Sequence, residues 1–352
     1  MVKPLSPMLR ESMPEKDVTE GIEHPLSLLK NVPEDPTPLL DLANFSIVSA
    51  RQFTHDQICQ LCRLAAKHEA VPQQTRRPLV GKILISAFYE PSTRTRLSFE
   101  SAWHRLGGDI MSITDPATTG IAKGESLSDV AEMLNNYGDL VVLRESQNDS
   151  IYQMLKNLRI PIVNAGNGTD EHPTQALADV YTLAKWRPQL LDENIAPKDA
   201  AKIGIIGVPS TMRTVRSLLY LLSLFPKSFT EVVIICKDVD EVFDKTQKEY
   251  LDTTGLNVRV SSNLNEELPE LDVIYINSIA WVGDTYEEIG KEYKLSKDSP
   301  FKKDAIVLHP LARGEELSTD LDDTPRNWYF AQARSAVFIR MALLTCLVQH
   351  NW

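Results

Sequence analysis

Residues 83–96 read ILISAFYEPSTRTR, an apolar run that ends in a turn and continues into a segment rich in hydroxyls and arginines. The apolar run predicts a buried strand over 82–88, and the following segment predicts a helix over 93–106. Unpaired backbone N–H groups at a helix start attract anions, and hydroxyls and guanidinium forks add donors that match phosphate oxygens. The stretch therefore predicts a strand–turn–helix unit whose phosphate donors are Ser92, Thr93, Arg94 and Thr95.

Apolar strands alternate with helices along most of the chain. A helix is expected over 54–67, and further strands of the first series over 110–113, 140–143 and 160–163. A second series has expected strands over 202–206, 232–236, 258–260, 272–276 and 305–308. This alternation is typical of parallel sheets that are covered by helices on both faces. We therefore predict an α/β fold of two doubly wound parallel-sheet domains, linked by a bridging helix over 173–185.

The chain divides into an extension and two domains. Residues 1–36 are rich in Pro, Glu and Lys, and we expect an extension that is disordered or lies on the surface. The first domain is expected over 37–172 and is completed by a C-terminal helix over 335–352. The second domain is expected over 173–334.

Composition narrows the class of protein. The chain has 352 residues, 43% of them hydrophobic, and a formal net charge of -11, which argues against nucleic acid or a membrane surface as a partner. Cys59 and Cys62 lie on a helical pattern, and no further cysteines or histidines complete a metal set, so we expect packing rather than metal binding. No apolar run reaches about 18 residues and no secretory signal is visible, so the cytoplasm is expected.

Polar segments follow the predicted strands at the point where each strand ends. In open α/β sheets, ligands bind at the carboxyl ends of the strands. Two sheets facing each other would therefore form a cleft that all of these segments line, namely 90–96, 114–123, Arg144, 164–175, 209–213 and 309–313.

These motifs resemble the aspartate and ornithine carbamoyltransferases. The resemblance is carried by Ser92–Arg96, Arg144, His172-Pro173-Thr174-Gln175 and His309–Arg313. The segment 123–127 and the late runs 319–325 and 328–332 are closer to the aspartate branch. The resemblance covers roughly residues 37–350 and identifies the first domain as the carbamoyl-phosphate-binding domain and the second as the amino-acid-binding domain.

The resemblance implies a carbamoyltransferase that acts on carbamoyl phosphate and an amino-acid acceptor, most simply L-aspartate, in pyrimidine biosynthesis, with no metal or organic cofactor. It implies catalytic roles for Arg94, Thr95, Lys123, Arg144 and His172. Carbamoyl phosphate would contact Ser92, Thr93, Arg94, Thr95, Arg144, His172, Gln175, Leu311 and Ala312. The acceptor would contact Lys123, Arg213 and Ser278. It further implies a homotrimer in which Lys123 enters the site of a neighbouring subunit, and it leaves a larger assembly open.

The acceptor half departs from the aspartate branch, which carries arginine at the position of Ser278 and glutamine at that of Ala280. Ala312 also replaces a family proline. Three hypotheses stay open here. In the first, the chain is an aspartate carbamoyltransferase in which another cation, such as Lys123, compensates for the missing arginine. In the second, it is a carbamoyltransferase for a different amine. In the third, it is a relative that binds carbamoyl phosphate without turnover.

Overall fold

A computed structural model describes residues 23–237, 242–277 and 293–348. The α-helices in this part of the chain are α1 (Glu23–Asn31), α2 (Thr37–Leu40), α3 (His55–Ala70), α4 (Thr93–Arg105), α5 (Leu127–Leu134), α6 (Ser150–Leu155), α7 (Pro173–Trp186), α8 (Arg213–Leu222), α9 (Lys245–Leu251), α10 (Leu264–Glu267) and α11 (Tyr329–Leu347). The strands are β1 (Ile83–Phe88), β2 (Asp109–Ile113), β3 (Leu140–Glu145), β4 (Ile162–Asn167), β5 (Ala201–Ile206), β6 (Phe229–Ile235), β7 (Val258–Ser261), β8 (Val273–Ile276) and β9 (Ile306–Leu308).

The strands form two sheets in which every pairing between strands is parallel. The first sheet has the order β2-β1-β3-β4, and the second has the order β7-β6-β5-β8-β9. The central strands are buried along nearly their whole length, because helices cover both faces. The predicted fold class, two parallel α/β domains, is therefore confirmed. The boundaries 37–172 and 173–334 stay predictions.

Helix α7 contacts both halves of the molecule. It packs against β4 and α3 of the first half and against α8 of the second half, which follows β5 along the chain. Its side chains from Pro173 to Lys185 are all buried. Any group on α7 therefore has neighbours from both sheets.

Disorder, one of the two expectations for residues 1–36, does not hold for residues 23–36. Residues 23–31 form α1, which packs on α3 with Leu28 fully buried. Arg63 of α3 holds the end of this helix, because its Nη1 donates to the carbonyls of Leu29 at 2.7 Å and Val32 at 2.6 Å. The apolar residues of α1 are too few to give a helical period, so the sequence resembled an extension. Residues 1–22 lie outside the described chain.

Helix α11 returns from the second half to the first. It starts at Tyr329, six residues before the expected start, and packs against α3, α4 and α7. It is the one helix among the described residues that is long and apolar enough to cross a membrane by length and composition. Most of it is buried inside this protein, so its apolar surface serves the core.

Candidate active site

A cavity of about 860 Å³ lies at the carboxyl ends of the strands, between the two sheets. Five of the six predicted polar segments contribute to its wall. The segment 114–123 does not, and Lys123 is exposed and lies outside the lining of its own chain's cavity. The strand-end rule therefore located the site. The missing segment follows β2, which is an edge strand of its sheet.

The start of α4 forms a cradle of donors on one side of the cavity. Ser92, Thr93, Arg94 and Thr95 all line it, and the Ser92 side chain makes no capping hydrogen bond. Arg94 has no ion pair among the described residues, so its guanidinium is available to an anion. Arg96 does not line the cavity, because its Nη1 pairs with Glu100 at 3.1 Å one turn along the helix.

Glu90 is held between two arginines that also line the cavity. The pairing of β1 with β3 sets Phe88 beside Arg144, and the Tyr89 N–H donates to the Arg144 carbonyl at 2.9 Å. Arg144 Nη2 donates to Glu90 Oε1 at 2.8 Å, and Arg213 Nη2 donates to the same oxygen at 2.9 Å. Burial raises the pKa of Glu90, but the two guanidinium groups outweigh it and lower the pKa overall. Glu90 is therefore an ionised clamp that orients both arginines.

Arg144 is a buried cation at the centre of the site. Burial lowers its pKa to about 10, with a contribution from the positive charge of Arg213, while Glu90 opposes both. The side chain therefore stays charged at neutral pH. Its Nη1 donates to the Ala165 carbonyl at 3.3 Å, and Gly166 lies directly against it: a Cβ there would lie 3.0 Å from that nitrogen. Glycine at 166 leaves the guanidinium its position.

His172 presents a neutral imidazole to the cavity. Burial is the main cause that lowers its pKa well below the usual value, and the positive charges of Arg144, Arg340 and Arg213 add to it. Its backbone N–H donates to Ser217 Oγ of α8 at 2.9 Å, which fixes the start of α7. A neutral imidazole carries one N–H and can polarise a carbonyl oxygen without adding a full charge.

Gln175 follows one turn later on α7 with its amide orientation fixed. Its Nε2 donates to Asp179 Oδ1 at 2.8 Å, and its carbonyl oxygen has no hydrogen-bond donor among the described residues. Because Gln175 lines the cavity, that oxygen is the acceptor it offers there. An amide N–H₂ of a bound molecule fits such an acceptor.

The loop after β9 forms the opposite wall. His309 Nδ1 accepts the Leu311 N–H at 2.8 Å, and its Nε2 lies 2.8 Å from Glu316, so its proton is on Nε2. The His309 N–H donates to Gln332 Oε1 at 2.7 Å. Leu311 lines the cavity, whereas Ala312 is exposed and lies outside the lining.

The structure thus brings together most of the predicted site residues. Nine line one cavity: Ser92, Thr93, Arg94, Thr95, Arg144, His172, Gln175, Arg213 and Leu311. Lys123 and Ala312 do not line it, and Ser278 lies outside the described residues. The roles assigned to all twelve stay predictions.

Sequence reasoning missed two polar residues of α11 in the wall, Gln332 and Arg340. Arg340 is almost fully buried; its guanidinium bonds Ser98, lies 3.4 Å from Thr174 Oγ1 and stacks 4.4 Å from the centre of the Phe99 ring. Burial lowers its pKa to about 9. The signal was available, because Arg340 is the single charge in the apolar run from Ser335 to Leu347.

Two facing parallel α/β domains with a cation-rich cleft define a two-domain protein that binds an anionic ligand. Two family models match the chain: the carbamoyl-phosphate-binding domain of aspartate/ornithine carbamoyltransferase over residues 46–185, and the Asp/Orn-binding domain over residues 199–347. The chain belongs to the aspartate/ornithine carbamoyltransferase family.

Named relatives lie in the aspartate branch. The chain is 35% identical over 317 residues to the chloroplastic aspartate carbamoyltransferase of Oryza sativa subsp. japonica, covering 86% of this chain and 84% of that protein. It is 34% identical over 314 residues to the aspartate carbamoyltransferase catalytic subunit of Methanopyrus kandleri, covering 87% and 98%. A solved structure of aspartate transcarbamoylase from Trypanosoma cruzi with carbamoyl aspartate and phosphate is 32% identical, with a TM-score of 0.76 over 91% of this chain and 100% of that one.

Proposed function

We propose that this protein transfers the carbamoyl group of carbamoyl phosphate to the amine of L-aspartate, giving N-carbamoyl-L-aspartate and phosphate, a step of pyrimidine biosynthesis. The observation that carries the proposal is the convergence of the α4 cradle, the cationic Arg144, the neutral His172 and the Gln175 carbonyl oxygen in one cavity. Each matches a different part of carbamoyl phosphate.

The donor substrate fits the cavity from end to end. Its phosphate takes the hydroxyls and N–H groups of Ser92–Thr95 with the Arg94 guanidinium, and Arg144 bridges phosphate and carbonyl oxygens. The carbonyl oxygen faces His172 and Thr95, and the NH₂ group donates to Gln175. Donors placed at a developing oxyanion typically contribute about 2.7–4 kcal/mol each to lowering the barrier.

The reaction needs no dedicated base from the described residues. The neutral amine attacks the carbonyl carbon and forms the new C–N bond. The product of this step is a tetrahedral intermediate whose former carbonyl oxygen is an oxyanion. The C–O bond to phosphate then breaks, and the departing phosphate takes the bonding electron pair and the proton of the amine. Orientation of two bound substrates supplies much of the acceleration.

The acceptor assignment rests on Arg213 and on the family. Arg213 lines the cavity and offers a cation to one carboxylate of the acceptor while Glu90 holds its position. Ser278 and Ala280 stand where the aspartate branch carries an arginine and a glutamine, and this sequence difference is what supports one alternative, an acceptor without aspartate's second carboxylate. The named relatives support aspartate over it. Both acceptors use the same donor half.

The experiment supplies carbamoyl phosphate with a panel of amino acids and measures phosphate release above hydrolysis. Turnover with aspartate at the efficiency of its relatives supports the proposal. Preferential turnover with another amine supports the alternative acceptor. Carbamoyl phosphate binding without turnover of any amine contradicts both.

We further propose a cytoplasmic homotrimer in which Lys123 completes the cavity of a neighbouring subunit. Its exposure outside its own cavity supports this placement. Mixing inactive Lys123→Ala and Arg94→Ala subunits tests it, because in a mixed trimer some sites receive both intact residues. Recovered activity supports shared sites, and a mixture as inactive as its parents contradicts them.

A further inference from the structure

Asp179 lies on α7 one turn beyond Gln175, behind the cavity wall. It is fully buried and does not line the cavity. Its Oδ1 accepts two hydrogen bonds from side-chain amides, one from Gln175 Nε2 at 2.8 Å and one from Gln332 Nε2 at 2.6 Å. These two glutamines are on different helices, α7 and α11, and both line the cavity.

The Gln332 arm reaches the opposite wall of the cavity. Gln332 donates to Asp179 with its nitrogen and accepts the His309 N–H with its oxygen at 2.7 Å. His309 Nδ1 in turn accepts the N–H of Leu311 at 2.8 Å. One carboxylate oxygen is therefore connected to Gln175 on one side and to the 309–311 loop on the other.

A carboxylate at this place decides which way both amides point. A glutamine amide can turn over and exchange its oxygen and nitrogen, but Asp179 Oδ1 only accepts hydrogen bonds, both when the group is ionised and when Oδ2 carries its proton. Each glutamine must therefore direct its NH₂ to Asp179 and its oxygen away from it. For Gln175 this sends the acceptor into the cavity, and for Gln332 it sends the acceptor to the His309 N–H.

The molecule keeps this group at a cost to its stability. Burial raises the pKa of Asp179 to about 7, against the opposing effects of the donors Gln332, Gln175 and Tyr275 and of the positive charge of Arg340. An apolar residue of the same size would avoid the desolvation cost of a buried carboxyl group. The carboxylate is therefore unfavourable for packing alone, which points to a role in the site.

We propose that Asp179 is a positioning residue that fixes the carbamoyl end of the site by orienting Gln175 and, through Gln332, the 309–311 loop. The inference rests on the proposed function, since it assigns the Gln175 oxygen to the carbamoyl NH₂. It predicts a selective effect, because the cradle at 92–95 holds the phosphate without any contact to Asp179.

The test compares the dissociation constants of carbamoyl phosphate and inorganic phosphate in the full-length protein. For Asp179→Leu we expect carbamoyl phosphate to bind about ten-fold more weakly, with phosphate changed less than about two-fold. Asp179→Asn keeps an acceptor oxygen, so we expect its ratio to stay within about three-fold of the wild type. Thr182→Val is the matched control, because Thr182 is buried on the same helix but donates only to the Ala178 carbonyl.

An Asp179→Leu protein with the wild-type ratio of the two constants overturns the inference, as does equal weakening of both anions. Should that variant not fold, Gln332→Leu decides, because it removes the connection from Asp179 to the 309–311 loop and leaves the bond between Asp179 and Gln175. Selective weakening of carbamoyl phosphate supports the inference, and an unchanged ratio overturns it. A wild-type protein that does not bind carbamoyl phosphate contradicts the proposed function instead, and that result is read without any variant.

Discussion

Arg213 Nη2 lies 2.9 Å from Glu90 Oε1, so the first residue of α8 is paired with a carboxylate just beyond β1, 123 positions earlier in the chain. The same oxygen accepts Arg144 Nη2 at 2.8 Å. This is a bond between the two halves of the molecule, made inside the cavity. Removing its charge should therefore disturb both the carbamoyl phosphate half and the acceptor half.

We expect Glu90→Gln to lower kcat/KM by about ten- to a hundred-fold, because a hydrogen bond to a charged group typically contributes about 1.5–3 kcal/mol. Steady-state kinetics in both substrates measure the effect. Glu132→Gln is the control: it breaks an exposed pair with Arg159 outside the cavity lining and should leave kinetics unchanged. Unchanged kinetics in Glu90→Gln as well would contradict a clamp role.

Two arginines at the start of α4 have different expected roles, one in ligand binding and one in structure. Arg94 lines the cavity without an ion pair among the described residues, whereas Arg96 pairs with Glu100 and lies outside the lining. We expect Arg94→Ala to abolish carbamoyl phosphate binding in calorimetry. We expect Arg96→Ala to bind within about three-fold of the wild type, because Arg96 lies outside the cavity lining. Retained binding in Arg94→Ala would refute the cradle.

Ser278 offers a test of which acceptor the protein uses. This position is chosen from the sequence alone, because it lies outside the described residues. An arginine there would supply the cation that the aspartate branch uses for the second carboxylate. If Ser278 faces the acceptor, Ser278→Arg should lower the KM for aspartate by about ten-fold, the scale of one charge-assisted hydrogen bond, and leave the KM for carbamoyl phosphate unchanged. An unaltered preference among acceptors counts against this position.

The parts that the sequence predicted are those set by local pattern. The strand–turn–helix unit at 83–96 placed the cradle, and the strand-end rule placed Arg144, His172 and Arg213 in one cleft. Glu90, in the turn of the same unit, bonds two of these arginines, Arg144 and Arg213. Local pattern works here because parallel strands all end at the same edge of a sheet.

The parts that it missed depend on packing between distant segments. Asp179 and Gln175 are one turn apart and visibly share a helix face, but Gln332 comes from 153 residues further along the chain. The docking of α11 between α4 and α7 brings Gln332 and Arg340 to the cavity. Helix α1 was missed for the same reason, because Leu28 gains its burial from α3 rather than from its own sequence neighbours.

Gly166 offers a test of how closely the arginines are packed. Its φ of +110° lies in the region that glycine favours, and a Cβ would lie 3.0 Å from Arg144 Nη1 and 3.2 Å from Arg213 Nε. Gly255 has φ of +74° and open space around its Cβ position. We expect both Gly→Ala variants to lose about 1–2 kcal/mol of stability from backbone strain, measured by urea unfolding. Only Gly166→Ala should also lose carbamoyl phosphate affinity, and equal affinity in the two variants would refute this packing.

The raised pKa of Asp179 predicts a specific dependence of stability on pH. An ordinary aspartate titrates near 3.8, as Asp179 does in the unfolded chain, but its folded-state pKa is about 7. Between these values the native state keeps a proton that the unfolded state has lost, so the free energy of unfolding falls as pH rises through this window and levels off above it. The side chain introduced by Asp179→Asn does not titrate, so the unfolding free energy of this variant minus that of the wild type should rise by about 4 kcal/mol from about pH 4 to about pH 7.5.

Urea unfolding of both proteins at several pH values measures this difference, and the titration of all other groups cancels in it. Thr182→Val, buried on the same helix, should show a pH-independent difference. A flat difference for Asp179→Asn would mean that Asp179 titrates at its ordinary pKa in the native state. A difference that falls with pH would mean that the folded protein stabilises the ionised carboxylate, and the burial of Asp179 would then need no compensating role in the site.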